Sequence, residues 1–243
     1  MGDDLFGKAI IENLNKEKVD TSLVKVDKGA RSNASVILSA RGERTILSYH
    51  EGRDYRFPSG VSARWLYFSS LAAEHTGLNE QLRTYIIKTG AKLVFNPGSY
   101  QIKEGKKALA PILEVCEALI VNRDEATRLL GVECALKEER ECLQRLRHLG
   151  PRITVVTDGP YGAYGYANGN FVFQKVYPLS VVERTGAGDA FSAGFTAALA
   201  NKKNLEEALR WATVNAAFVT QEVGAQAGLL RRSELNKRLK SWK

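Results

Sequence analysis

The chain has 243 residues, 44% of them hydrophobic, which is enough for one large core in a single domain, and its formal net charge is +8. No apolar run of about 18 residues is present, and the start, Met1–Asp4, is acidic, so neither a membrane span nor a secretory signal is expected. Lys and Arg are spread along the chain without interleaved aromatic residues, and the charge therefore predicts no nucleic-acid or membrane partner.

The cysteines are three in number and lack a CxxC spacing; they are Cys116, Cys134 and Cys142. An odd number without paired spacing is typical of reduced thiols in a cytoplasmic protein. The sequence therefore predicts neither a disulfide framework nor a cysteine metal site.

The first elements are a helix and a hairpin. Ile10, Ile11 and Leu14 have helical spacing after an acidic start. Two alternating segments, 34–40 and 45–49, flank a short charged turn that contains Gly42. This pattern predicts a β-hairpin.

From residue 65 onward, short apolar strands alternate with helices. The predicted strands are 65–68, 92–95, 118–121 and 153–156, and the predicted helices are 78–89, 105–115, 125–130 and 136–149. Continuous apolar strands separated by helices indicate an α/β protein whose parallel sheet is covered on both faces. Ligands of such sheets bind beyond the carboxyl ends of the strands, where Asn96, Asn122, Thr157 and Asp158 are expected.

A glycine-rich turn at 183–188 leads into an apolar helix that extends to Ala200. Such a turn presents unpaired backbone N–H groups at the positive end of the helix dipole, which suits phosphate oxygens. Asp189 beside it could accept a proton from an attacking hydroxyl. The alternative is an ordinary glycine turn with Asp189 as a helix cap, and this stretch alone does not decide between the two.

Residues 185–191, Thr-Gly-Ala-Gly-Asp-Ala-Phe, resemble the C-terminal signature of the ribokinase-like (PfkB) carbohydrate kinases. The resemblance implies a ribokinase-like α/β fold: a doubly wound, mostly parallel sheet with a small β-lid, in one kinase domain over 1–243. It also implies an anion hole made by Gly186, Ala187 and Gly188. Asp189 would then be the catalytic base and a contact of the acceptor substrate.

Two further motifs match the same family. Asn122 and Glu125 match its Asn-x-x-Glu motif, which implies a role in holding Mg²⁺ through water, although these residues equally fit a helix capping box. The loop after the strand 153–156 resembles the family's nucleotide loop. Its candidate contacts are Thr157, Asp158, Gly159 and Gly162. A hairpin turn at the same place is compatible with that role.

The segment 213–225 resembles the family's penultimate helix and the loop after it. Asn215 would lie near the adenine, although an Asn on an apolar helix face more often bonds to neighbouring backbone. The carbonyls of Gly224 and Ala225 would help to bind a monovalent cation such as K⁺. Relatives carry Asp-Thr, whose aspartate helps to bind the cation, where this chain has Glu183 and Arg184, so Glu183 is a further candidate ligand. The positive charge of the arginine could replace the cation, and K⁺ dependence is therefore left open.

The resemblance assigns residues 23–57 to a remnant of the β-lid. Asn33 and Asn96 are candidate contacts of the substrate, whereas His50 is expected to cap a strand. Because the Gly-Asp-Asp stretch at the start lies well inside other members, the kinase domain is expected to be shortened at its N-terminus. The hairpin should then have an unpaired edge, which predicts a homodimer through the lid.

The predicted activity is transfer of the γ-phosphate of ATP, with Mg²⁺, to a hydroxyl of a sugar or nucleoside-like small molecule. The alternative is a non-catalytic nucleotide-binding protein, either truncated or regulatory. The residues that select one substrate within this class are not identified by the sequence.

Overall fold

The computed structural model describes residues 1–40, 43–71 and 76–242 of the chain. The chain divides into two compact units, one built on Met1–Val61 and the other on Ser62–Leu71 and the residues from Thr76 onward. Within the described ranges, none of the helices has both the length and the apolar character that crossing a membrane requires. The sheet and most of the predicted site residues belong to the second unit.

The first unit begins with α1 (Leu5–Lys16), which is capped by Asp4. The Asp4 carboxylate accepts hydrogen bonds from the N–H of Gly7 at 2.8 Å and from the N–H and hydroxyl of Ser32 at 2.8 and 2.7 Å. The helix start is thereby tied to a residue far along the chain.

The same unit contains the predicted hairpin. β1 (Ala34–Ala40) and β2 (Glu43–Tyr49) pair antiparallel in a two-stranded sheet, which confirms the prediction for the strands. The predicted turn residues Arg41 and Gly42 lie outside the described residues. Several apolar side chains of the hairpin are exposed, namely Val36, Ile37, Leu38, Ile46, Leu47 and Tyr49.

The second unit is organised around a six-stranded sheet whose strands follow one another in chain order. The strands are β3 (Trp65–Phe68), β4 (Lys92–Phe95), β5 (Ala118–Asn122), β6 (Ile153–Thr157), β7 (Ala163–Ala167) and β8 (Asn170–Gln174). The first four are parallel, and β7 and β8 are added antiparallel. The sheet is therefore mixed and mostly parallel.

Helices cover both faces of this sheet. They are α2 (Thr76–Thr89), α3 (Ser99–Leu113), α4 (Arg123–Leu130), α5 (Glu139–Arg147), α6 (Ala187–Ala200), α7 (Leu205–Val219) and α8 (Arg232–Ser241). On one face, the hydroxyl of Thr154 donates to the carbonyl of Leu143 on α5 at 3.0 Å. On the other face, the next residue, Val155, is buried with Phe195 of α6 and Leu209 of α7. This alternation along one strand confirms the prediction of a doubly covered α/β sheet.

Three elements differ from the sequence prediction. α3 consists of two helical segments that meet at Gly105, whose φ of +80° and ψ of 176° are not helical; the second segment matches the predicted helix, and the first, from Ser99, was not predicted. The strand β8 and the helix α8 are present although the sequence pattern did not predict them. The strand is short and follows a tight turn, which makes its pattern weak.

The cysteine prediction is wrong for two of the three residues. Cys134 and Cys142 form a disulfide, with their Cα atoms 5.5 Å apart. Cys116 is a free thiol, and burial raises its pKa. The pair was missed because a separation of eight residues is no pairing signal by itself, and α5 brings the two together. The cysteine argument for a cytoplasmic location therefore loses its basis.

Candidate functional site

The start of α6 leaves backbone N–H groups unpaired. Gly186 is the N-cap residue, with φ of +83°, and no side chain caps the helix. The N–H of Ala187 donates to the carbonyl of Arg184 at 3.2 Å, whereas the N–H groups of Gly188 and Asp189 have no hydrogen-bond partner among the described residues. These two donors are available to a negatively charged group at the positive end of the helix dipole.

The two glycines of this turn have different surroundings. A Cβ atom on Gly186 would lie 2.4 Å from the carbonyl oxygen of Ala225, whereas a Cβ atom on Gly188 would have no atom within 4 Å. Packing and the positive φ therefore require glycine at 186. At 188, the missing side chain leaves open space beside the unpaired N–H groups, which is where an anion would have to enter.

Asp189 is an exposed residue in the first turn of α6. No hydrogen bond or ion pair joins its carboxylate to the part of the chain that the structure describes. Partial burial nevertheless raises the pKa of this carboxyl above its ordinary value. An unpaired carboxylate with a raised pKa is suited to accept a proton from a hydroxyl.

A small group of polar side chains connects the ends of β3 and β4 to α6. The amide oxygen of Asn96 accepts from the hydroxyls of Tyr67 and Ser192, both at 3.3 Å. Its nitrogen donates to the carbonyl of Ile120 at 2.8 Å. Burial and the charge of Asp189 raise the pKa of Tyr67 to about 12, so its phenol remains protonated. The predicted substrate residue Asn96 is thus bonded to the helix that carries Asp189.

Sequence reasoning missed two members of this group. Tyr67 could have been noticed as a polar tip near the carboxyl end of an apolar strand. Ser192 lies one helical turn after Asp189 and could have been placed on the same side of the helix. Neither signal distinguishes these residues from many ordinary strand and helix positions.

Asn122 and Glu125 form a capping box at the start of α4. The side chain of each accepts a hydrogen bond from the N–H of the other, both at 2.8 Å. Burial raises the pKa of Glu125. Because Asn122 pairs in register with Thr157 of β6, the predicted metal and nucleotide residues lie on neighbouring strands. The capping role is present, and the metal role stays a prediction.

The predicted nucleotide loop is a tight turn between β6 and β7 that includes a short 3₁₀ helix, Gly159–Tyr161. The N–H of Asp158 donates to the carbonyl of Gly162 at 2.9 Å. Gly162 has φ of +103°, and a Cβ atom there would lie 2.4 Å from the carbonyl oxygen of Gln174. The hairpin interpretation is confirmed, and contact with a nucleotide stays a prediction.

The side chain of Asp158 is already bonded to the protein. Its carboxylate accepts a hydrogen bond from Arg123 at 2.8 Å, and the same guanidinium donates to Glu139 at 3.0 Å. Sequence reasoning missed Arg123, although the residue lies inside the Asn122–Glu125 motif. Only the tertiary structure brings it to the turn.

Asn215 connects α6 to the chain that precedes α8. Its side-chain nitrogen donates to the carbonyl of Ala190 at 2.8 Å, and its oxygen accepts from the N–H of Leu230 at 3.2 Å. This is the backbone-bonding role that was expected as the alternative. Contact with adenine stays a prediction.

The residues predicted to hold a monovalent cation flank the α6 turn. Glu183 accepts hydrogen bonds from the N–H and hydroxyl of Thr185 at 2.9 and 2.7 Å. Ala225 lies against Gly186, as its distance to a Cβ atom there shows. The structure therefore brings Ala225, which follows Gly224, to the predicted anion hole, while the cation itself stays a prediction.

Asn33, the other predicted substrate residue, belongs to the first unit. Its side-chain oxygen accepts from the N–H of Glu51 at 3.0 Å, and its nitrogen lies 3.5 Å from Nδ1 of His50. These bonds join the two ends of the hairpin. Contact of Asn33 with substrate stays a prediction.

In the second unit, the candidate residues lie along one edge of the sheet. Tyr67, Asn96, Asn122 and Thr157 occupy or directly follow the ends of β3, β4, β5 and β6, which are parallel. Parallel strands place their carboxyl ends at the same edge, where open α/β sheets bind ligands. With the unpaired start of α6, the molecule is an α/β protein whose candidate ligand site lies at the carboxyl edge of its sheet.

Comparison with known proteins agrees with this class. The model of the pfkB family carbohydrate kinases matches residues 1–232, and the chain therefore belongs to the PfkB family of carbohydrate kinases. It is similar to an uncharacterized sugar kinase of Archaeoglobus fulgidus, with 27% identity over 239 residues that cover 95% of this chain and 93% of that protein. A ribokinase of Haemophilus influenzae is 24% identical, over 96% of this chain and 78% of that protein.

The fold is also that of a solved ribokinase. The structure of Arabidopsis thaliana ribokinase complexed with ribose and ATP superposes with a TM-score of 0.84 at 24% identity, covering 99% of this chain and 80% of that one. The ribokinase-like fold and the family resemblance expected from residues 185–191 are thus confirmed.

Proposed function

We propose that the protein is an ATP-dependent kinase that transfers the γ-phosphate to a hydroxyl of a sugar or nucleoside-like substrate. The observation that carries the proposal is the unpaired Asp189 carboxylate, with its raised pKa, beside the unpaired N–H groups of Gly188 and Asp189. Phosphoryl transfer depends on a group that orients the nucleophile and on donors that stabilise the transferring phosphoryl. Membership of a carbohydrate kinase family and similarity to ribokinases support it.

In this reaction, Asp189 takes the proton of the acceptor hydroxyl while the hydroxyl oxygen forms a bond to the γ-phosphorus. The bond between that phosphorus and the bridging oxygen breaks, and ADP leaves. The N–H groups of Gly188 and Asp189 bind the transferring oxygens, and Gly186 keeps the turn closed against Ala225. The Ala187 N–H is partly committed to Arg184, so it contributes less than the other two.

The nucleotide would be received at the turn between β6 and β7 and near α7, by Thr157, Asp158, Gly159, Gly162 and Asn215. Mg²⁺ would be held by Asn122 and Glu125 through water, and it would neutralise charge on the phosphates. No group of three or more His, Cys, Asp or Glu side chains in residues 1–40, 43–71 and 76–242 could hold a metal. This fits Mg²⁺, which keeps several waters and binds through one or two carboxylates and substrate phosphates.

The acceptor would bind beside Asn96 and Tyr67, next to Asp189. Asn33, in the first unit, is proposed separately as a substrate contact. A monovalent cation such as K⁺ would lie at Glu183, Gly224 and Ala225. A second copy of the chain would cover the exposed apolar hairpin and its unpaired edge. We also propose that the protein is located in the cytoplasm, where ATP is supplied.

The test is incubation of the chain with Mg²⁺, γ-labelled ATP and a panel of sugars and nucleosides. We expect transfer to at least one acceptor, and we expect Asp189→Asn to lower turnover about 10²- to 10⁴-fold while ATP affinity is retained. Glu206→Gln is a matched control, because Glu206 is an exposed carboxylate in the first turn of α7, and its rate should be unchanged.

Two results would contradict the proposal. Full turnover by Asp189→Asn would show that Asp189 is not the catalytic base. ATP binding without transfer to any acceptor would favour the alternative, a non-catalytic nucleotide-binding protein.

A further inference from the structure

We propose that Arg123 is a positioning residue for the nucleotide: it holds Asp158, and with it the turn Thr157–Gly162, in the conformation that binds ATP. The inference rests on the proposed function, because it assigns ATP to that turn. Arg123 itself is not proposed to touch the nucleotide.

Arg123 lies at the centre of a network that joins three segments. One terminal nitrogen donates to Asp158 at 2.8 Å and to Glu139 at 3.0 Å. The other donates to the carbonyls of Cys134 and Ala135 at 2.7 and 3.1 Å. One guanidinium therefore joins the start of α4, the segment before α5 and the nucleotide turn.

The network is shielded from water. The side chains of Arg123, Asp158 and Glu139 are only 17%, 12% and 13% exposed. Charges in such surroundings are stabilised by their partners rather than by solvent. Without Arg123, two like-charged carboxylates and two carbonyls would lose their donor, and the carboxylates would move apart or towards water.

Asp158 transmits this change directly to the turn. Its side chain is bonded to Arg123, and its own N–H closes the turn by donating to Gly162 at 2.9 Å. Gly162 lies close to β8, because a Cβ atom built on it would lie 2.4 Å from the carbonyl oxygen of Gln174. Movement of Asp158 would therefore displace the N–H that closes the turn onto Gly162.

The partners of Arg123 are themselves held in place. Cys134, whose carbonyl it binds, is joined by a disulfide to Cys142 on α5, and Glu139 begins the same helix. The guanidinium also lies over the ring of Tyr164 on β7, 5.8 Å from the ring centroid. Arg123 thus connects the turn to the segment 134–142, which the disulfide closes into a loop.

The experiment measures ATP binding to the full chain by calorimetry, together with KM for ATP and for the acceptor and the melting temperature. For Arg123→Met we expect the Kd and KM for ATP to rise about tenfold or more, while KM for the acceptor stays within about twofold. Arg145→Met is the matched control, because Arg145 pairs with Glu141 in an exposed ion pair on α5. It should leave all three constants unchanged.

Asp158→Asn provides a second variant if Arg123→Met does not fold. It keeps the shape of the side chain but removes its charge, and we expect a smaller rise in the Kd for ATP, about threefold to tenfold. If Arg123 acts on the turn through Asp158, the double variant Arg123→Met with Asp158→Asn should bind ATP no more weakly than Arg123→Met alone.

A folded Arg123→Met, or a folded Asp158→Asn, that binds ATP as the unmodified chain does would overturn the inference. A lowered melting temperature with unchanged Kd would show a purely structural role and would also overturn it. If the unmodified chain binds ATP but transfers no phosphate, the catalytic proposal fails while the Kd of the variants still decides this one. No ATP binding by the unmodified chain would overturn both.

Discussion

Two aspartates stand at helix starts in this protein, and their surroundings are opposite. Asp4 caps α1, and hydrogen bonds from Ser32 and Gly7 lower its pKa to about 2. Asp189 stands in the first turn of α6, where burial raises its pKa and no described residue pairs with it. An aspartate at a helix start is therefore a hydrogen-bonded N-cap at α1 and, three residues after the N-cap of α6, a carboxylate without a described partner.

The difference supports the proposed ligand site at the start of α6. Asp189 is an exposed residue, so the absence of a described partner is not unusual by itself, but its raised pKa makes it a candidate functional group. At α6 that carboxylate comes with unpaired N–H groups and with open space at Gly188. At α1, by contrast, the carboxylate accepts hydrogen bonds from Gly7 and Ser32.

The largest expected effects come from substitutions of the two glycines in the α6 turn. In Gly188→Ala, the methyl group meets no atom within 4 Å, so the helix should be as stable as before or more stable, by up to about 1 kcal/mol. The methyl group would nevertheless fill the space beside the unpaired N–H groups, and turnover should fall about 10- to 100-fold.

Gly186→Ala, in contrast, should lower the stability of the protein. Its Cβ would lie 2.4 Å from the carbonyl of Ala225 at a positive φ, so stability should fall by about 1–3 kcal/mol. Thermal unfolding and steady-state kinetics of both variants provide the check. Full turnover by Gly188→Ala would show that the open space is not used, and native stability of Gly186→Ala would show that the turn can shift.

The helices α4 and α7 begin with capping boxes of the same construction. Glu125 is the N3 residue of the box at α4, and Glu207 is the N3 residue of the box at α7. Burial raises the pKa of Glu125, whereas the hydrogen bond from Lys203 lowers that of Glu207. If burial marks a functional carboxylate here as at Asp189, Glu125→Gln should raise the Mg²⁺ concentration needed for half-maximal rate about tenfold.

Glu207→Gln is the control for that experiment, since it neutralises a carboxylate in a capping box of the same construction away from the sheet edge, and the Gln amide oxygen can still accept the cap hydrogen bond. Both variants should melt at slightly lower temperature. Equal Mg²⁺ titrations for the two would mean that Glu125 is only a cap.

The sequence predicted what local patterns determine. Apolar strands such as 118–121 were placed to within a residue, and the glycines at 186 and 188 marked the helix start that the structure shows. Asn122 and Glu125 were equally identified together with their capping alternative. In each case the information lies within a few neighbouring residues.

The remainder depends on contacts between distant segments. Asp158 was predicted to face a nucleotide, yet its carboxylate bonds to Arg123, 35 residues away. Tyr67 is joined through Asn96 to α6, and its pKa responds to Asp189. No periodicity or spacing in one sequence encodes which of several polar strand ends will meet, because that is set by how the helices pack on the sheet.

The smallest effect, a difference in titration, tests the comparison most directly. In a carboxyl NMR titration, Asp4 should have its midpoint at about pH 2 and Asp189 above its ordinary value of 3.8. A lowered pKa means that Asp4 contributes stability above its unfolded pKa, and that this contribution is lost as the pH falls through about 2. A raised pKa means the opposite for Asp189, whose base function should be lost at a higher pH than an ordinary aspartate would allow. Ser32→Ala separates the two, because it removes one donor to Asp4 and should raise that midpoint alone. If both midpoints moved together, or if they coincided in the unmodified chain, hydrogen bonding would not be what distinguishes the cap from the base.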